Sequence, residues 1–259
     1  MLRVLPPVSR RSSNFRKPGG MASTTRLLVI GAHAADFVWR SAGAIALTTR
    51  EGGTALAVAL SYGERGESAE LWAAPEQQVE NVKRIRHQEA TKAAEILQVG
   101  FSCLDLGDYP LEVGSNALAQ LADMVRDFEP NVVITHGEKD PFNPDHPVAH
   151  QAAIRAEQLA VGAGRAAAFK TIPQPQVLLF EPHYPDSSAF VPEVYLDITP
   201  VQDVKERAMA ALESQRYMPD YQSMRSRQRA WQARRISGDG AISNVEVFQR
   251  FTPQVIHTL

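Results

Sequence analysis

His33 and Asp36 stand three residues apart, just after a short aliphatic run that ends in Gly31. In a strand-to-helix turn that spacing lets both side chains point at one ion, and His146 can complete a set of two imidazoles and one carboxylate. Three protein ligands leave a divalent metal an open position for water or substrate, the mark of a catalytic rather than a structural zinc site. A His-x-x-Asp turn with no partner is mostly incidental, so its weight depends on what else arrives beside it. Similar residue types follow other aliphatic runs: Glu64, Arg65 and Glu67 between Gly63 and Ser68, His136 to Asp140 and then Asn143 to His146, and Glu181 with His183. Each has a plainer reading. Charged residues beside glycine usually form a solvated turn, although the glycines also let backbone approach a ligand. His136 can cap a strand end, His150 can face core or solvent, and His87 and His257 carry no signal. The basic run of Arg216, Arg225, Arg227, Arg229, Arg234 and Arg235 reads as a surface or subunit face, with an anionic substrate as the other reading.

Those residues need elements to position them. The aliphatic run 27–30 reads as a buried strand, followed by a helix over 38–50. Strands follow at 55–62, 101–106, 132–135 and 177–180, with helices over 78–97, 116–128 and 147–159 between them. Strand–helix alternation at this spacing predicts a parallel sheet of right-handed βαβ units. After one more strand at 194–198 the pattern predicts helices over 201–217 and 219–233, and a helix-like segment over 244–251. The expected fold is a Rossmann-like three-layer α/β/α arrangement with a mostly parallel sheet and a helical C-terminal part. Ligands of such sheets bind outside the carboxyl ends of the strands, where the His, Asp and Glu residues fall.

Composition is that of an ordinary globular chain: 259 residues, 44% apolar and 22% charged. No run approaches the ~20 apolar residues of a membrane span. A net charge of −2 leaves no global basic field for nucleic acid. The single Cys103 excludes an intrachain disulfide and any multi-cysteine metal site, and permits a cytoplasmic location. Residues 1–20 hold Arg3, Arg10, Arg11, Arg16 and Lys17 and no acid, without the apolar core of a secretory signal. They are expected to be a disordered extension, with one domain over 21–259.

The strings Gly31 to Asp36, Gly63 to Glu67 and Asn143 to His146, with Arg86 to Glu89 and Ser214-Gln215, resemble the LmbE-like (PIG-L) family of zinc-dependent N-acetylglucosaminyl deacetylases. The resemblance spans roughly residues 25–250 and implies that His33, Asp36 and His146 bind Zn²⁺ or another divalent metal. It also marks departures. The position of the family's general base is Ala35, that of its oxyanion-stabilising histidine is Asn143, and its Pro and Glu are Ala34 and Phe37. A methyl group cannot accept a proton, so amide hydrolysis by the family's route is compromised. Residues 31–40 and 61–68 are more similar still to a subgroup of the family that hydrates 4-oxalomesaconate. That similarity implies addition of water across a conjugated C=C of a small anionic tricarboxylate, in bacterial degradation of gallate or protocatechuate. A homo-oligomer that engages neither membrane nor nucleic acid is expected. Such an addition builds enolate charge that a metal can stabilise. With Ala35 inert, Glu67 is the expected base, Glu64 the reserve, and His183 the general acid or substrate orienter. Arg40, Arg65, Asn143 and Arg225 are expected at the substrate, where guanidinium forks suit carboxylates. A deacetylase using Glu67, or a non-catalytic metal-binding relative, are the alternatives.

Overall fold

The computed structural model describes residues 24–165 and 168–254, so the expectation for residues 1–20 lies outside the described residues. The chain runs β1 (Arg26–Gly31), α1 (Asp36–Arg50), β2 (Thr54–Ala59), α2 (Ala69–Trp72), α3 (Val79–Leu97), β3 (Gly100–Cys103), α4 (Ser115–Phe128), β4 (Val132–Thr135), α5 (Asp145–Val161) and β5 (Gln176–Phe180). It closes with β6 (Val194–Asp197), α6 (Gln202–Ala210), α7 (Met218–Ser237) and β7 (Val245–Arg250). The seven strands form one sheet in the order β3-β2-β1-β4-β5-β7-β6.

β1 to β5 pair in parallel, with Leu28 opposite Leu56 on one side and Val133 on the other. Parallel strands covered on both faces should be largely aliphatic, and β1, β2, β4 and β5 are, whereas the edge strand β3 (Gly-Phe-Ser-Cys) is not. Leu27, Val29, Ala57 and Ala59 pack into one layer with α1, α3 and α6, whereas Leu28, Ile30, Val58 and Leu60 pack into the other with α4 and α5. The period of two along each strand thus fixes the three-layer build.

The C-terminal expectation needs two corrections. Residues 244–251 are not helical: Val245–Arg250 is a strand, antiparallel to both β5 and β6. Val245, Val247 and Phe248 are buried, and the strand's neighbours supply the pairing that decides a short segment of ambiguous period. The segment expected as one helix over 201–217 ends at Ala210, and a separate 3-10 turn follows at Glu213–Gln215. Glu246 of β7 reaches into α1, where the N–H groups of Gly43 and Ala44 donate to its carboxylate at 2.7 and 2.8 Å. Lys205 pairs with the same carboxylate at 2.7 Å and also donates to the carbonyl of Trp39. No helix among the described residues is long and apolar enough to cross a membrane.

Candidate metal centre and active-site cleft

Sequence-adjacent strands β1, β2 and β3 step outward on one side of β1, and β4 begins on the other. The crevice at such a switch point opens between the carboxyl ends of β1 and β4. His33 and Asp36 follow β1, and His136, Asp140 and His146 follow β4, so topology alone brings them together.

The geometry within is specific. Asp145 Oδ2 lies 3.2 Å from His33 Nε2 while accepting the N–H of Tyr109, and its other oxygen accepts that of Leu111. Asp140 Oδ2 lies 2.7 Å from His146 Nδ1. Each imidazole is therefore anchored by a carboxylate at one nitrogen. The opposite nitrogens, His33 Nδ1 and His146 Nε2, are buried and have no hydrogen-bond partner. Both face Asp36, at 3.7 Å from Oδ2 and 3.9 Å from Oδ1. Two orphaned imidazole nitrogens aimed at one carboxylate, each backed by an acid, fit a divalent cation, because such backing fixes the tautomer and raises ligand basicity. Single ligand atoms of His33, Glu67 and His146 also lie within 4.8 Å of one another, so Glu67 borders the same spot.

The electrostatics agree. Burial opposes a charge on His33, yet Asp145, Glu67 and Asp36 outweigh it and raise the imidazole to about 9. The cluster requires a positive charge, which a proton or a metal can supply. Burial, with His136 and Arg40 alongside, holds His146 well below the usual imidazole range and leaves it neutral. Burial would raise Asp36, but His136, His146 and Arg40 keep it well below the usual carboxylate range. Asp36 also accepts the N–H of His33 at 2.8 Å and lies 3.0 Å from His136 Nε2. The His136 ring stacks on His146 with centroids 4.0 Å apart.

Beside this centre lies a cleft of about 470 Å³, lined among others by Glu67, Tyr109, Asn143, His183, Tyr184 and Tyr221. Glu67 is partly exposed here, and its two oxygens accept from Asn143 Nδ2 at 2.8 Å and Gln215 Nε2 at 3.0 Å. Gly66 makes room for the Tyr109 ring, since a Cβ there would fall 2.0 Å from it. That is why this turn needs a glycine. His183 lines the same cleft, and burial, helped by Arg40, lowers its imidazole to about 3.

The other expected residues are placed differently. Glu64 is wholly buried, with Arg65 at 3.3 Å and Lys83 at 3.9 Å, and does not line the cleft. The Arg65 guanidinium is half exposed beside Glu64 and Asp108. Arg40 is buried against Asp36 Oδ1 at 3.2 Å and the carbonyl of Glu181 at 2.8 Å. Arg225 and Arg229 converge on one oxygen of Glu181, and Arg225 and Glu181 line a small adjoining cavity with His183 and Arg40. Sequence reasoning missed Asp140, Asp145 and Gln215 as supports. Asp145 had a signal, standing between Asn143 and His146; Gln215 was marked only by the Ser214-Gln215 string, and nothing along the chain tied it to Glu67, 148 residues away.

Helices on both faces of a switch-point sheet, with a His/Asp/His cluster at its edge, define a three-layer α/β scaffold with a candidate metal centre, on which several chemistries can run. The chain belongs to the PIG-L family, described as GlcNAc-PI de-N-acetylase, which matches residues 28–157. It is 39% identical to 4-oxalmesaconate hydratase of Pseudomonas putida KT2440, over 98% of this chain and 97% of that one. It is also similar to the crystal structure of GalB, the 4-carboxy-2-hydroxymuconate hydratase of the same organism, at 40% identity with a TM-score of 0.87, covering 90% of this chain and 98% of that one. N,N'-diacetylchitobiose deacetylase of Pyrococcus horikoshii shares the fold at 17% identity, with a TM-score of 0.72 over 87% of this chain and 83% of that one.

Proposed function

We propose that this chain is a zinc-dependent hydratase that adds water to the C=C of 4-oxalomesaconate, giving 4-carboxy-4-hydroxy-2-oxoadipate in the breakdown of gallate or protocatechuate. The full-length likeness to the two hydratases supports the reaction. The names of those relatives denote the keto and enol tautomers of one tricarboxylate skeleton, so one cleft can serve both. The observation that carries the reading at the level of residues is Glu67. It is the carboxylate at the edge of the orphaned nitrogen pair that also opens to the cleft, 3.7 Å from His33 Nδ1. Ala35, at the position of the deacetylases' base, is buried in the apolar layer and offers no proton acceptor.

His33, Asp36 and His146 would hold the metal. Bound there, a divalent ion supplies Lewis acidity toward a substrate carbonyl where enolate charge develops. Glu67 takes a proton from the attacking water as its oxygen bonds to carbon, a role of general-base type worth roughly 10²–10⁴ in rate. His183, neutral in the free cleft, orients the substrate by hydrogen bonding. The proton held by Glu67 is then on hand for the adjacent carbon. One O–H bond and the π bond of the C=C break, and one C–O and one C–H bond form. Arg225, beside His183, is our choice of carboxylate partner, and Asn143 acts on Glu67. Cys103, unpaired, suits a reducing cytoplasm.

The test is loss of the conjugated absorbance of 4-oxalomesaconate with zinc-loaded protein. Rapid loss that a chelator abolishes is expected for the wild type, and Glu67→Gln should lower turnover by about 10²–10⁴ with metal still bound. Release of acetate from an N-acetyl sugar, with no hydration, would overturn the reading in favour of a deacetylase.

A further inference from the structure

We propose that Gln215 is a positioning residue for the reaction: it fixes the direction of the Glu67 carboxylate through an amide whose orientation the protein dictates from behind. This rests on the reading of Glu67 as base. Gln215 Oε1 receives Arg86 Nη1 at 2.9 Å and Trp39 Nε1 at 3.2 Å. A guanidinium and an indole N–H can only donate, so the amide end facing them must be its oxygen. The NH₂ end is thereby turned on Glu67 Oε2, 3.0 Å away. Gln215 is buried, so water has little access to the side chain.

The donors behind it are themselves fixed. Arg86 is fully buried and also reaches Ser214 Oγ at 2.8 Å and the carbonyl of Tyr62 at 3.2 Å. Glu89, one turn along α3, accepts both the N–H and the hydroxyl of Ser214, at 2.7 and 2.6 Å. A rigid helix and the 3-10 turn at Glu213–Gln215 are thus joined at the base's back. On the other carboxylate oxygen Asn143 works the same way: its Oδ1 accepts the N–H of Asp145 at 3.1 Å, which turns its Nδ2 on Glu67 Oε1. Glu67 is held by one N–H on each oxygen and has few directions left to swing. Proton transfer depends steeply on that alignment, and a displacement of about 1 Å can cost about 10²-fold.

The experiment compares Gln215→Met and Gln215→Glu, each alone and combined with Glu67→Gln, by kcat, KM and bound zinc. Met keeps the length and removes the N–H. Glu keeps an acceptor for Arg86 and Trp39 but presents an oxygen to Glu67. Both are expected to lower kcat by about 10- to 100-fold while KM moves by less than about twofold and zinc stays bound. In the Glu67→Gln background the same changes should cost less than about twofold, because the group they position is gone. An equal loss in both backgrounds, or a loss confined to KM, would overturn the proposal and mark Gln215 as merely structural. Wild-type kcat in Gln215→Glu would do so as well, and this variant carries the test if Gln215→Met fails to fold. Full activity in Glu67→Gln alone would instead remove the base itself, and the positioning role with it.

Discussion

The five parallel strands and the C-terminal segment contribute to the site in different ways. The parallel half supplies both orphaned nitrogens, on His33 after β1 and His146 at the start of α5, and the Asp36 carboxylate that faces them. The C-terminal half supplies none of them. It contributes Gln215 behind Glu67, Tyr217 and Tyr221 along the cleft, and Arg225 and Arg229 on Glu181. The candidate ligands sit on the part of the fold whose topology makes a crevice, and much of the surrounding cleft is built by the part that is added to it.

The largest effect should come from the parallel half. His33→Ala should lose bound zinc and turnover together, measured by metal analysis and the absorbance assay on the same sample. Retained activity without metal would erase the distinction between the halves. Next comes the seam that joins them. Glu246→Ala strands Lys205 and two helical N–H groups in the interior, and removing one partner of a buried pair costs about 3–5 kcal/mol. Urea denaturation should register that loss while zinc affinity at pH 7 in the remaining folded protein is unchanged. A smaller change, Asp140→Asn, weakens the backing of His146 and should lower zinc affinity about 10- to 100-fold with little loss of stability.

The smallest concerns His183, in the segment between the halves. Its folded value of about 3 lies below the usual 6.5, so between those values the unfolded chain binds the extra proton. Stability is therefore present above about pH 6.5 and is lost as pH falls toward 3. His183→Asn should flatten that slope, seen as a smaller drop in urea midpoint between pH 7 and pH 5. An unchanged slope would mean that His183 is not held neutral.

Legibility also divided along this line. The strands of the parallel half were readable because aliphatic runs closed by glycine leave few alternatives, as at residues 27–31. Val245–Arg250 was misread because six residues with only three apolar ones suit helix or strand, and pairing with β5 and β6 decides between them. Among site residues, Glu67 and His183 were legible as polar groups after strands, and both reach the cleft. Glu64 looked equivalent to Glu67 three residues earlier, yet the turn between them sends one into the interior and the other to the cleft. Arg40 was expected at a substrate carboxylate from its type; one helical turn from Asp36 it contacts that residue, and it also lines the small cavity beside His183.

By itself the sequence determined the order of strands and helices, the His-x-x-Asp turn, and the absence of a base at Ala35, since these depend on residue type and local spacing. Tertiary structure decided which nitrogen of each imidazole is left bare, which glutamate faces the cleft, and that Gln215 stands behind it. Apart from the Asp140 contact that turns His146, six positions away, those depend on contacts between residues more than 70 positions apart, where distance along the chain carries no information about distance in space.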